Sequence, residues 1–209
     1  MLGQLARLIR RPRVQEPAAL QAFLARQAAF VAQKTVIDYC RVKSGRFERH
    51  TFADPDFQAA LRHCRWQTFA GSVQDVTALA EAWLRPHAPG REAALAAGLA
   101  ALGAQVIDTA DAPAAERETL DSAKASLPRH LAGLQEHPPA SADRLKLLAE
   151  APLLATLPIH PDQRVGETPS IRGALRFHIV TTQEEMERAF DAPALAGALC
   201  LPGDAQKDA

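Results

Sequence analysis

Residues 55–84, PDFQAALRHCRWQTFAGSVQDVTALAEAWL, decide the fold class. Phe57, Leu61, Cys64, Phe69, Val73, Val76, Leu79, Ala80 and Trp83 advance mostly by threes and fours for roughly seven turns, the spacing of one helical face. Asp54 before Pro55 reads as an N-cap followed by a first helical residue whose missing N–H costs nothing. Pro86, Pro89 and Gly90 stop the helix near Leu84.

Upstream, Pro17 opens a second long helix that runs toward Gly45. Leu20, Phe23, Leu24, Ala28, Phe30, Val31, Ile37 and Cys40 are expected on its inner side, packed antiparallel to the helix over 55–84, with residues 46–53 as the connection. Before it, Leu2, Leu5, Leu8 and Ile9 form a short apolar stripe bordered by Arg7, Arg10 and Arg11, and Pro12 ends that segment. Downstream, residues 91–107 make an Ala-rich helix with Leu95, Leu99, Leu102 and Val106 inward, in which Gly98 and Gly103 let a neighbouring helix approach. Further pieces are expected at 114–126, 128–136 and 142–150, separated by Pro113, Pro128 and His137-Pro138-Pro139. The proline-rich segment 151–169 is expected to be irregular. Thr168 then caps a continuous last helix to Phe190, preferred over a short strand across 175–180. The chain therefore reads as an all-α, irregular helical bundle built on a long central hairpin, with a basic amphipathic helix at 1–13, one domain at 14–200 and a flexible tail at 201–209.

Composition agrees. Hydrophobic residues are 47% of the 209 and charged residues 23%, the balance of a folded chain and not of a disordered one. Ala, Leu, Arg, Gln and Glu lose little rotamer freedom in helices, and β-branched residues are scarce. Cys40, Cys64 and Cys200 are an odd number without metal-type spacing, so a reducing, cytoplasmic setting is expected. Apolar stretches such as 93–107 fall short of the roughly 20 residues that a bilayer span needs.

The net charge is zero but polarised. Residues 1–66 carry 12 Lys/Arg against 5 Asp/Glu, and residues 67–209 carry 12 against 19. In the basic part Arg41, Lys43, Arg46 and Arg49 gather at the end of one helix, and Arg62 and Arg65 lie on the next, so the hairpin is expected to present them as one anion-binding or partner-binding face. Pairing with the chain's own acidic half competes with that use, and the helix macrodipole already favours cations at 41–43. The N-terminal stripe, Leu2, Leu5, Arg7, Leu8, Ile9, Arg10 and Arg11, suits reversible contact with an anionic membrane surface at its inner face.

Chemical motifs are sparse. Phosphate and dinucleotide loops and the Gly-x-Ser-x-Gly elbow are absent, and so are Glu-x-x-His and His-x-x-x-His, so no cofactor and no metal is expected. His63 and Cys64 are adjacent, which on a helix turns them about 100° apart. Two function classes compete. The first is an accessory or interaction protein, not an enzyme, whose basic face meets an anionic membrane or an acidic protein. The second is an enzyme with a pocket between helices near Tyr39, Cys40 and His63. Nucleic acid ranks third, because the basic residues are not interleaved with stacking aromatics.

Overall fold

The structure is a computed structural model that describes residues 13–201. The expected N-terminal helix, except Arg13, and the tail beyond Leu201 lie outside the described residues. The chain is all-α: α1 (Pro17–Ser44), α2 (Glu48–Ala53), α3 (Pro55–Leu84), α4 (Glu92–Asp108), α5 (Arg117–Leu134), α6 (Glu150–Thr156), α7 (Thr168–Ala189) and α8 (Ala192–Leu199). Among the described residues, extended pairing is confined to one bridge between Val14 and Phe190. It fastens the segment just before α1 beside the end of α7, through Val14 N–H to the Ala189 carbonyl (2.9 Å) and Asp191 N–H to the Val14 carbonyl (2.9 Å).

Helices α1 and α3 form the expected long hairpin. Asp54 caps α3 as its sequence predicts, with Oδ1 accepting from Phe57 N–H at 2.9 Å. The apolar spacing of α3 is that of one face, yet every residue from Thr68 to Ala82 is buried. This helix is the axle of the bundle, and α1, α4, α5, α6, α7 and α8 all pack on it. Most of its buried polar residues are tolerable because they bond locally or clamp a neighbour, although Ser72 Oγ has no partner among the protein groups. Thr68 and Thr77 donate to the carbonyls of Cys64 (2.8 Å) and Val73 (2.7 Å), and the Gln74 amide donates to the Ala123 carbonyl (3.2 Å) and Ser126 Oγ (2.7 Å).

Several local expectations are overturned. Phe30, expected inward, is 44% exposed. The connection over 46–53 holds a helical turn and α2. Pro128 does not divide α5: it lies on the solvent side, while Leu120, Ala123, Leu127 and Leu131 keep an unbroken buried stripe past it. Residues 142–148 are not helical, because their backbone is held from outside. The Arg176 guanidinium donates to the carbonyls of Ala142 (2.5 Å) and Leu145 (2.6 Å), Gln183 Oε1 accepts from Ala142 N–H (2.9 Å), and Asp75 accepts from Leu148 and Ala149. Helix α6 forms instead, within the segment expected to be irregular. Helix α7 is continuous as expected, but Thr168 is its first residue and not its cap; Glu167 precedes it and supplies no side-chain cap bond. Helix α8 had no counterpart in the sequence reading.

Close approach at Gly98 and Gly103 is as expected: a Cβ there would meet the Leu199 carbonyl oxygen and Leu127 Cδ2. The tightest backbone contact is at Gly71, where a Cβ would lie 2.5 Å from Ala149 Cα and 2.7 Å from Ala149 N. Gly71→Ala therefore forces backbone apart and is expected to cost about 1–3 kcal/mol in chemical denaturation, despite alanine's better helix propensity. Gly173→Ala, in α7 with nothing within 4 Å of its Cβ, is expected to stabilise by about 0.4–1 kcal/mol. Equal effects at the two glycines would contradict this packing.

Candidate functional site

The basic hairpin end starts from how α1 stops. Gly45, at φ 49°, turns the chain out of the helix, leaving Arg41 and Lys43 in the last turn, where the helix dipole favours them. Arg41 Nε lies 3.2 Å from Glu48 Oε1, both exposed. The Arg46 guanidinium lies over the Phe47 ring, 4.8 Å from its centroid. Arg41, Arg46, Glu48, Arg49 and Phe52 surround an open depression of about 620 Å³. Two apolar side chains stand out at the same end: Phe47 is 57% exposed and Val42 78%.

Lys43 is engaged elsewhere. Its ammonium donates to Glu167 Oε1 (2.8 Å), while Tyr39 Oη donates to Glu167 Oε2 (2.6 Å), joining α1 to the start of α7. The Glu167 carboxyl is held below the usual range by Lys43 first and then by Tyr39. Burial, reinforced by that carboxylate, pushes the Tyr39 phenol above its ordinary value. These residues line a cleft of about 420 Å³ between α1 and α7.

Arg62 and Arg65 are in a third place. They border a groove of about 370 Å³ formed by α1, α3 and the end of α4, together with Gln33, Trp66, Phe69 and Val106. Arg65 Nη2 reaches Gln33 Oε1 at 3.5 Å, and its Nε is buried with no acceptor among the protein groups. No family model, curated protein or solved structure matches this chain. The six basic residues singled out in the sequence are thus divided: Arg41, Arg46 and Arg49 stay together, Lys43 pairs with the acidic half, and Arg62 and Arg65 line their own groove.

Tyr39, Cys40 and His63 are likewise divided. Cys40 is fully buried, and burial, with Cys64 near it, pushes its thiol up to about 12. A thiol in that state is a core side chain and a poor nucleophile. His63 Nδ1 is instead 2.8 Å from Glu116 Oε1, whose carboxylate also accepts from Gln67 Nε2 at 3.0 Å. Among the described residues no group of three or more His, Cys, Asp or Glu side chains is placed to hold a metal ion, and no helix is long and apolar enough to cross a membrane.

Sequence reasoning missed Phe47, Val42 and Glu167. Phe47 carried a signal, an aromatic residue inside a basic polar run. Glu167 carried none, because its partners are more than 120 residues away.

Proposed function

We propose that this protein is a helical accessory protein that docks reversibly on an anionic membrane surface through the hairpin end at 41–52. The observation that carries the reading is the exposure of Phe47, beneath the Arg46 guanidinium, at the hairpin end that gathers Arg41, Arg46 and Arg49, with exposed Val42 beside it on the α1–α7 cleft. An acidic protein surface would use the arginines; a bilayer interface uses both the charges and the apolar tips. Arg46 and Arg49 make no ion pair among the described residues, and each contributes about 1 kcal/mol near an anionic surface. Burying Phe47 adds about 1.5–3 kcal/mol. The sum corresponds to a dissociation constant of roughly millimolar, so this end alone holds weakly. The N-terminal pattern Leu2, Leu5, Arg7, Leu8, Ile9, Arg10 and Arg11 supplies a second anchor in this reading, and two weak anchors together give firm but reversible attachment. The reading implies a peripheral location on the cytoplasmic face of a membrane.

Sedimentation with phosphatidylserine-containing and with pure phosphatidylcholine vesicles tests it. At low salt the protein is expected in the pellet with the anionic vesicles only. The double substitution Arg46→Glu with Arg49→Glu is expected to weaken binding by more than about tenfold, and Phe47→Ala should weaken it at both low and high salt. Equal recovery in the supernatant with the two vesicle types would reject the proposal. Loss with the arginine variant but none with Phe47→Ala would point to an acidic protein partner instead.

A further inference from the structure

The groove that holds Arg62 and Arg65 has a polarity of its own. Along α3, Arg62, Arg65, Trp66 and Phe69 follow the i, i+3, i+4, i+7 spacing of one helix face. Along α1, Ala25, Ala29 and Ala32 do the same with side chains too small to fill the space between the two helices. Val106, from α4, also lines it. The result is a slot with cations at one end and carbon at the other. Arg62 and Phe69 are seven residues apart, roughly 10 Å along the axis, so a bound molecule can reach both.

Its charge is uncompensated. No Asp or Glu lines the slot, and neither arginine forms an ion pair among the described residues. Among the described residues the sole side-chain hydrogen bond of Arg65 is the 3.5 Å contact with Gln33, and its buried Nε has no acceptor there. Guanidinium groups present planar forks that match an oxyanion with two parallel N–H bonds. A volume of about 370 Å³ is that of a small-molecule site.

We propose that this slot binds an amphipathic organic anion, its carboxylate on Arg62 and Arg65 and its aliphatic or aromatic body along Phe69 and the alanine floor. Trp66 lines the slot and reports occupancy through its fluorescence. The site is separate from the hairpin end, and its tests are independent of vesicle binding.

The experiment titrates the full chain with decanoate, decanol and acetate, following Trp fluorescence and heat of binding. Decanoate is expected to bind saturably, with decanol and acetate each at least about tenfold weaker, because one lacks the anion and the other the body. Arg65→Gln should weaken decanoate about tenfold or more, a loss of the order expected for a charge-assisted contact. Ala29→Trp, at an exposed helix position, should block the slot while the circular dichroism and unfolding midpoint stay native. Trp66→Phe should remove the fluorescence response and leave the heat. Absence of saturable decanoate binding, equal binding of decanol, or native-like binding by the Ala29→Trp protein would each overturn the proposal.

Discussion

Arg85→Ala is expected to lower the unfolding free energy by about 3–5 kcal/mol, the larger of the two greatest losses that the structure predicts. Arg85 grips Glu81 with both arms of its fork, Nε to Oε1 at 2.7 Å and Nη2 to Oε2 at 2.6 Å. The Glu81 side chain is fully buried and that of Arg85 is 10% exposed. Arg85 also donates to the carbonyls of Leu134 (3.2 Å), the last residue of α5, and of His137 (2.5 Å) in the turn that follows. Gln135 completes the hub by donating to Glu81 Oε1 (3.1 Å) and to the Glu92 carbonyl (2.7 Å). Three helix ends, those of α3, α4 and α5, thus meet on one carboxylate. Removing the arginine leaves that carboxylate without its charge partner, and the cost arises from the stranded charge more than from the lost attraction. The double substitution Glu81→Leu with Arg85→Met removes both charges and is expected to recover most of the loss. Urea denaturation of both single variants and the double one gives the coupling energy. A single-variant loss below about 1 kcal/mol, the range of an exposed pair, would show that the hub is solvated.

The long helices were legible because their signals are local: a proline at the start, a cap, an apolar repeat, and a glycine or proline at the end. What was not legible is where α3 sits. Its middle carries Thr68, Ser72, Gln74, Asp75, Thr77 and Glu81, polar residues interleaved with the apolar repeat. Thr68 and Thr77 bond to carbonyls four residues back, whereas Gln74, Asp75 and Glu81 take partners that α5, the residue after it and the loop before α6 bring from 49 to 74 residues away. No periodicity announces such partners. Pro128 misled in the opposite direction: a proline on the exposed side of α5 frees a carbonyl that water can reach, and the Leu120 to Leu131 stripe outweighs the kink.

The candidate sites were legible as residue types and not as places. Arg41, Arg46 and Arg49 are within nine residues of one another, so the end of one helix suffices to gather them. Arg62 and Arg65 lie two turns further along the hairpin, and the alanine stripe of α1 with Val106 of α4 turns them into a slot of their own. Lys43 differs from Arg41 only in its phase on α1, yet that phase delivers it to Glu167. The charge division between the halves of the chain is thus partly spent inside the fold, at Lys43 with Glu167. Among the described residues Arg46 and Arg49 at the hairpin end and Arg62 and Arg65 in the slot form no ion pair.

Stability is expected to fall as pH rises from about 4 to about 7, by up to about 4 kcal/mol from one group. The group is Asp75, fully buried at the centre of α3. Its two oxygens accept from the backbone N–H groups of Leu148 (2.6 Å) and Ala149 (3.0 Å), beneath the first turn of α6. Burial disfavours the carboxylate and raises its pKa from 3.8 to about 7; the two N–H bonds and the nearby Arg176 oppose that rise without cancelling it. Between those values the folded chain holds a proton that the unfolded chain has released, so the folded state is favoured at the acid end and the contribution is lost as pH passes through 7. Asp75→Asn removes this titration and should flatten the dependence. It also turns an amide N–H₂ toward a backbone donor and strands one N–H, at a cost of about 1–3 kcal/mol at acid pH. Above pH 7 the gap between the two proteins should therefore shrink or invert, since the wild type then holds a buried carboxylate and the variant does not. Urea midpoints measured at pH 5 and pH 8 on both proteins decide it: a gap that is the same at the two pH values means that Asp75 is ionised throughout and that its two N–H bonds outweigh its burial.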